Sequence, residues 1–203
     1  MLMGFACGTL PEAVNLIVAA HVSICDSCRA ETEGFDAIGG SLIETSAQPQ
    51  AMATDSLDQT LAKIAGPAPA MAPRRSDPVL PQPLLDYIGG GLDDIRWRPI
   101  GMGVKQAVLK TSAAATARLF YIPAGTAMPS HGHNGLEMTM VLQGAFQDEG
   151  DYFARGDVEI ANADVHHTPV ADIHQDCICL AVTDAPLRLQ GLLPRLAQRF
   201  LGI

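Results

Sequence analysis

The sequence lacks any apolar run fit to cross a bilayer: the longest, near Leu16–Ala20, falls far short of the ~18 residues a span needs. No basic region precedes an apolar core at its start, so no secretory signal is visible and a cytoplasmic protein is expected. Basic residues are also scarce. Thirteen Lys and Arg face 22 Asp and Glu, a net charge of −9, which argues against direct nucleic-acid binding. With 48% hydrophobic and 17% charged residues, the composition is globular rather than disordered. Cysteine is sparse and odd in number, five in all: Cys7 and two close pairs, Cys25/Cys28 and Cys177/Cys179. Without a secretory signal, close pairs point to metal or redox sites before disulfides.

What is present divides the chain into three regions. Residues 1–66 read as helical. Thr9-Leu10-Pro11-Glu12 has the form of a capping box, and Val14, Ile17, Val18, His21, Cys25 and Cys28 recur on one helical face. Residues 31–44 are predicted helical but weakened by three glycines, and Ser56 to Ala65 carries the stripe Leu57, Leu61, Ile64 before a Gly66-Pro67 stop. Residues 67–83 hold six prolines (67, 69, 73, 78, 81, 83), the composition of a semi-rigid linker. Residues 84–203 read as all-β, with strands expected at 106–110, 117–123, 137–143, 157–161 and 177–183. A closing strand and helical turn are expected in the apolar tail from Pro186 to Phe200. Many short strands without helical intervals suggest a sandwich or barrel. Acids crowd the first fifty residues: Glu12, Asp26, Glu31, Glu33, Asp36 and Glu44 stand against Arg29 alone. That surface is a complement for a basic protein partner, or simply a solubilising one.

His21-x-x-x-Cys25-x-x-Cys28 is the first chemical constellation. On a helix these positions share a face, and two thiolates with an imidazole suit tetrahedral Zn²⁺, which they neutralise. A Cys-x-x-Cys redox pair normally sits at a helix N-terminus, whereas this pair is expected at a helix end. A closed zinc site needs a fourth ligand, and Cys7 is the one upstream candidate.

The second constellation is Gly125-x5-His131-x-His133-x3-Glu137-x6-Gly144. On a single strand, positions 131, 133 and 137 would share one face, opposite apolar Met138, Met140 and Leu142. His167, in Gly156-x5-Asn162-x-Asp164-x-x-His167, can bring a fourth ligand from a neighbouring strand. Its neighbour His166 must then face away, and His174 falls in a turn. Three imidazoles and a carboxylate suit Zn, Fe, Mn, Ni or Cu. Cys177 and Cys179 share a strand face about 6.6 Å apart, too far for an unstrained disulfide, and are read as core.

Gly125 to Gly144 matches the first cupin motif. The second is looser, with Asn162, Asp164 and Ala171 where proline, glycine and asparagine are usual. The order of parts resembles the ChrR family of zinc-dependent anti-sigma factors, as do Cys25-Asp26-x-Cys28-Arg29-Ala30, residues 36–42 and Asp176-Cys177-Ile178-Cys179-Leu180-Ala181. The resemblance implies two domains: a small all-α zinc-binding segment and an all-β cupin jelly-roll barrel. It also implies sequestration of an extracytoplasmic-function sigma factor by the helical segment, with Zn²⁺ at His21, Cys25 and Cys28. The barrel, holding zinc or another metal, would sense singlet oxygen and related oxidants, and it could dimerise. Family members usually carry one more zinc-ligating histidine in a helix upstream, so the native protein is expected to have residues before Met1. The competing reading is a metal-dependent cupin oxygenase. A free-standing cupin enzyme would not need the helical zinc segment and linker.

Overall fold

The computed structural model describes residues 1–46, 48, 50–67 and 75–189. Its first third is helical, with joints that differ from the sequence expectation. Helix α1 spans Leu2–Ala6, α2 Glu12–Val22, α3 Asp26–Ser46 and α4 Ser56–Ala65. The three glycines of α3 do not interrupt it: an added methyl at Gly34, Gly39 or Gly40 would meet nothing within 4 Å. The expected capping box does not form. Pro11 is the N-cap of α2 and offers no side-chain bond, and Thr9 bonds back to Gly4 O. Glu12 instead reaches away from its own helix, accepting from Tyr87 Oη at 2.9 Å and Ser112 N at 2.6 Å.

Of the proline-rich stretch, residues 68–74 lie outside the described residues. After it, Asp77 accepts from the amides of Val79, Leu80 and Leu92 and folds the chain onto the body of the protein, where Val79 and Leu80 are buried. Helix α5, Gln82–Ile88, follows. It had no counterpart in the sequence reading, which took this stretch as the start of the β region.

The rest is antiparallel β. Strands β1 (Arg98–Gly101), β2 (Val104–Val108), β3 (Thr116–Ile122), β5 (Glu137–Gln143), β8 (Val158–Ala161) and β11 (Cys177–Thr183) form a six-stranded sheet in the order β1-β2-β3-β11-β5-β8. Facing it are two three-stranded sheets. One pairs β10 (Val170–Ala171), β6 (Ala145–Gln147) and β7 (Tyr152–Ala154). The other pairs β12 (Arg188–Leu189), β4 (His131–Gly132) and β9 (His166–His167). The closing strand of the tail is β12; the helical turn expected after it lies outside the described residues. Gly144 marks the corner between β5 and β6. Its φ is +68°, and a Cβ there would come within 2.7 Å of Asp176 O, so only glycine fits.

The large sheet is covered on both faces. Along β11, Cys177 and Cys179 face the barrel interior with Val141 and Phe146. Ile178, Leu180 and Val182 face outward with Met138, Met140 and Leu142 of β5. The outward set packs against Ala13, Val14, Leu16, Ile17, Val18 and Ala20 of α2 in one core cluster. Burial on both faces is why the 177–182 segment is apolar at every position rather than alternating. The helical segment and the barrel therefore share a hydrophobic core.

Candidate metal centres

His131 lies on β4, His133 just after it and His167 on β9, and their three ring nitrogens converge to within 4.8 Å of one another. All three are buried. The expectation that one strand carries His131, His133 and Glu137 is corrected: His131 belongs to a small sheet and Glu137 to the large one. The chain crosses between sheets over residues 133–136, so the ligands come together by a bend, not by strand parity. Arg188 holds that bend, donating from Nε to His133 O at 2.7 Å and from Nη2 to Ala163 O at 2.9 Å. His166 is exposed, as alternation requires, and His174 is exposed in the loop before β11.

Outer partners fix two of the rings. His131 Nδ1 lies 2.8 Å from Pro129 O, and His167 Nδ1 lies 2.8 Å from Glu159 Oε1 and 3.4 Å from Asp148 Oδ2. Each Nδ1 is thereby the donor, and the two Nε2 atoms turn toward each other at 3.1 Å. Two imidazole lone pairs meeting in a buried space repel unless a proton or a cation lies between them. Both ring nitrogens of His133 and Glu137 Oε2 are buried without a hydrogen-bond partner; His133 Nδ1 and Glu137 Oε2 are 3.0 Å apart, but not aligned as a hydrogen bond. Burial pushes His131 below its usual pKa. Burial lowers His167 too, but the Glu159 carboxylate more than offsets it and the net shift is upward. For Glu137 burial acts upward, and the surrounding imidazoles, His133 first, hold it below the usual range. A buried set of convergent imidazoles and a carboxylate, with orphaned polar atoms, fits a divalent cation.

His131, Glu137 and His167 of this cluster, with Glu159, line a cavity of about 360 Å³ whose other walls include Ile100, Phe120, Ile122, Met128, Phe146 and Leu187. Cys179 also reaches this cavity. Its thiol is pushed well above the usual pKa by its contact with Cys177 and by burial, which keeps it protonated and unreactive.

The helical segment carries the other cluster. His21, Cys25 and Cys28 place one ligand atom each within 4.8 Å. Cys7 is not in this group, so the upstream cysteine is not brought to the site. The local structure also differs from the sequence reading. Helix α2 ends at Val22 and α3 begins at Asp26, so the Cys-x-x-Cys pair opens a helix instead of closing one. Helix starts favour thiolates. Bonds from Ser27 and the Cys28 amide lower the Cys25 pKa, while burial and Cys25 itself raise that of Cys28. A redox pair can no longer be set aside by position. What favours metal is His21, whose Nδ1 is engaged 2.9 Å from Gly156 O and whose other nitrogen is free to meet the sulfurs.

The sequence reading missed Glu159 and Asp148. Glu159 lies on β8 between Val158 and Ile160, and the acid faces inward while Ile160 is 55% exposed. That inversion of the usual alternation was the available signal.

The ChrR cupin-like domain family matches residues 88–186. The chain is 54% identical over 207 residues to the anti-sigma-E factor ChrR of Cereibacter sphaeroides, covering 100% of this chain and 95% of that protein. It also superposes on the crystal structure of Rhodobacter sphaeroides SigE in complex with the anti-sigma ChrR, with a TM-score of 0.76 and 51% identity over 90% of this chain and 94% of that one. With more than half of its residues identical over its whole length, and its barrel matched by the family's domain, the chain belongs to the ChrR family of anti-sigma factors.

Proposed function

We propose that this chain sequesters an extracytoplasmic-function sigma factor in the cytoplasm, keeps it from RNA polymerase core, and releases it under oxidative stress of the singlet-oxygen type. Helix α4 carries the reading. It buries no residue, yet Leu57, Leu61 and Ile64 form an i, i+4, i+7 stripe that is 67%, 53% and 74% exposed. Ile38, Leu42 and Ile43 of α3 are also exposed. Amphipathic helices with bare apolar stripes are surfaces for a partner, and the complex of the relative with SigE supplies the partner's class.

In this reading His21, Cys25 and Cys28 hold Zn²⁺ that fixes the turn between α2 and α3, as structural zinc does. His131, His133, Glu137 and His167 hold zinc, iron, manganese or nickel in the barrel, which senses the oxidant. The chain acts as a regulator, not an enzyme, and contacts no nucleic acid directly.

The test is co-purification with a cognate sigma factor, backed by transcription with core polymerase. Cys28→Ala and Leu61→Glu should each lose the complex, and His133→Ala should keep it while blunting oxidant-triggered release. Full retention of sigma by Cys28→Ala would sink the zinc part of the reading; retention by Leu61→Glu would sink the assigned surface.

A further inference from the structure

The β7–β8 turn is where the barrel meets the helical metal cluster. His21 Nδ1 lies 2.9 Å from Gly156 O, 135 positions along the chain. A carbonyl oxygen only accepts, so the ring is fixed with its proton on Nδ1 and its lone pair on Nε2. The carbonyl itself is held in place. Gly156 N donates to Val141 O at 2.9 Å, Val141 N donates to Asp157 O at 3.1 Å, and Asp157 N closes the turn on Ala154 O at 2.9 Å. Arg155 Nη1 donates to Pro78 O at 2.6 Å, which ties the same turn to the segment leading into α5. Three residues beyond Gly156, on β8, Glu159 Oε1 meets His167 Nδ1 at 2.8 Å. The turn and the short strand it leads into thus present an outer partner to a ligand of each cluster: the Gly156 carbonyl to His21 and, from β8, the Glu159 carboxylate to His167.

We infer that Gly156 O is an outer-sphere partner of the helical metal site, so that the barrel, through the turn leading into β8, sets the affinity of that site. The inference rests on the reading of His21, Cys25 and Cys28 as a metal site. Its consequence is that the helical cluster is not a self-contained clip. Any displacement of β8 at the barrel centre moves the group that orients His21.

Gly156 provides the perturbation. Its φ is +96°, and an added methyl would meet only Ile24 Cδ1, at 3.6 Å, so Gly156→Ala strains the turn and shifts its carbonyl without a steric clash. Gly101→Ala is the matched control. Its φ is +114° with nothing within 4 Å, and β1 lies at the opposite edge of the sheet from β8.

Full-length chains are titrated with Co²⁺, and the thiolate-to-cobalt charge-transfer band reports the helical site, because the barrel cluster consists of imidazoles and a carboxylate. Gly156→Ala is expected to weaken this binding about 10- to 100-fold, the usual effect of losing an outer-sphere partner, and Gly101→Ala to leave it as in the wild type. Equal affinity in Gly156→Ala and wild type overturns the inference, as does an equal loss in both variants. Absence of the band from the wild-type chain instead removes the metal-site reading on which the inference rests. A measurement on the unmutated protein guards against misfolding: long-range ¹H–¹⁵N spectra of the zinc-loaded chain should show His21 protonated at Nδ1 and metallated at Nε2. The opposite assignment overturns the proposal.

Discussion

Replacing Ile17 tests whether helix α2 and the barrel form one cooperative unit. Ile17 is 0% exposed, in the core cluster formed between α2 and the outer face of the six-stranded sheet. Ile17→Ala removes three buried carbons and leaves a void that a helix braced against a sheet closes only in part. The expected cost is about 2–5 kcal/mol. With a urea m-value of about 2–3 kcal/mol/M for a chain of this size, a loss of about 3 kcal/mol lowers the midpoint by about 1–1.5 M. Trp97, the single tryptophan, packs edge-on against Tyr121 with ring centroids 6.3 Å apart, so its fluorescence reports the barrel. Circular dichroism at helical wavelengths reports the N-terminal segment. Both are followed in the presence of a chelator, so that metal release adds no transition of its own. A shared core requires the two probes to move together. If the helical signal falls while the Trp97 midpoint stays within about 0.3 M of wild type, the two parts unfold independently and the argument from packing fails.

Glu159→Gln keeps the shape of the side chain but removes the charge that raises His167, and should weaken barrel metal binding about 10- to 100-fold; competition with a chromophoric chelator measures it, and an unchanged affinity would show that Asp148 alone suffices. Asp77→Ala should cost about 1–3 kcal/mol and leave a pH signature. Burial acts to raise the Asp77 pKa, but the amides of Leu92, Leu80 and Val79 bring it below the usual carboxylate value. A lowered folded-state pKa means stability that is fully present above the unfolded value of about 3.9 and lost as pH falls through the folded one. The gap between wild type and Asp77→Ala should therefore be flat above about pH 5 and shrink below about pH 4, as thermal melts across that range would show; a gap that widens on acidification contradicts the assigned bonds.

Much of this was legible because the chemistry depends on spacing. Strands 137–143 and 177–183 and helix 56–65 appear with the bounds their patterns predicted, since a period of two or of 3.6 is local information. The histidines of the barrel were found through their spacing from Gly125 and Gly144, both of which adopt a positive φ. Long-range pairings were not legible. The Thr9-Glu12 pattern suggested a cap, but Glu12 is recruited by Tyr87 and Ser112, groups 75 and 100 positions away, and tertiary bonds outbid the local one. The helix joint at residues 23–25 was missed because the His21, Cys25 and Cys28 spacing satisfies one continuous helix as well as a break. Glu159 was missed for the reverse reason: its charge pointed to solvent, whereas the barrel interior is the polar side of that strand.

What covers the apolar stripe Met138, Met140, Leu142 bears on the barrel alone. In the full chain α2 caps this stripe together with Ile178, Leu180 and Val182. Cut away the helical segment, and six large side chains, now 0–3% exposed, lose the cover of α2 on the outer face of the sheet. Monomeric proteins rarely tolerate patches beyond a few hundred Å², so residues 75–203 expressed alone should self-associate through this face. Sedimentation should show dimers or larger species that dissociate when a peptide of residues 1–46 is added, and Met140→Lys in the fragment should restore the monomer. A fragment that is monomeric from the outset and binds no hydrophobic dye would mean that the sheet does not need α2, and that the helical segment is only a passenger on the barrel.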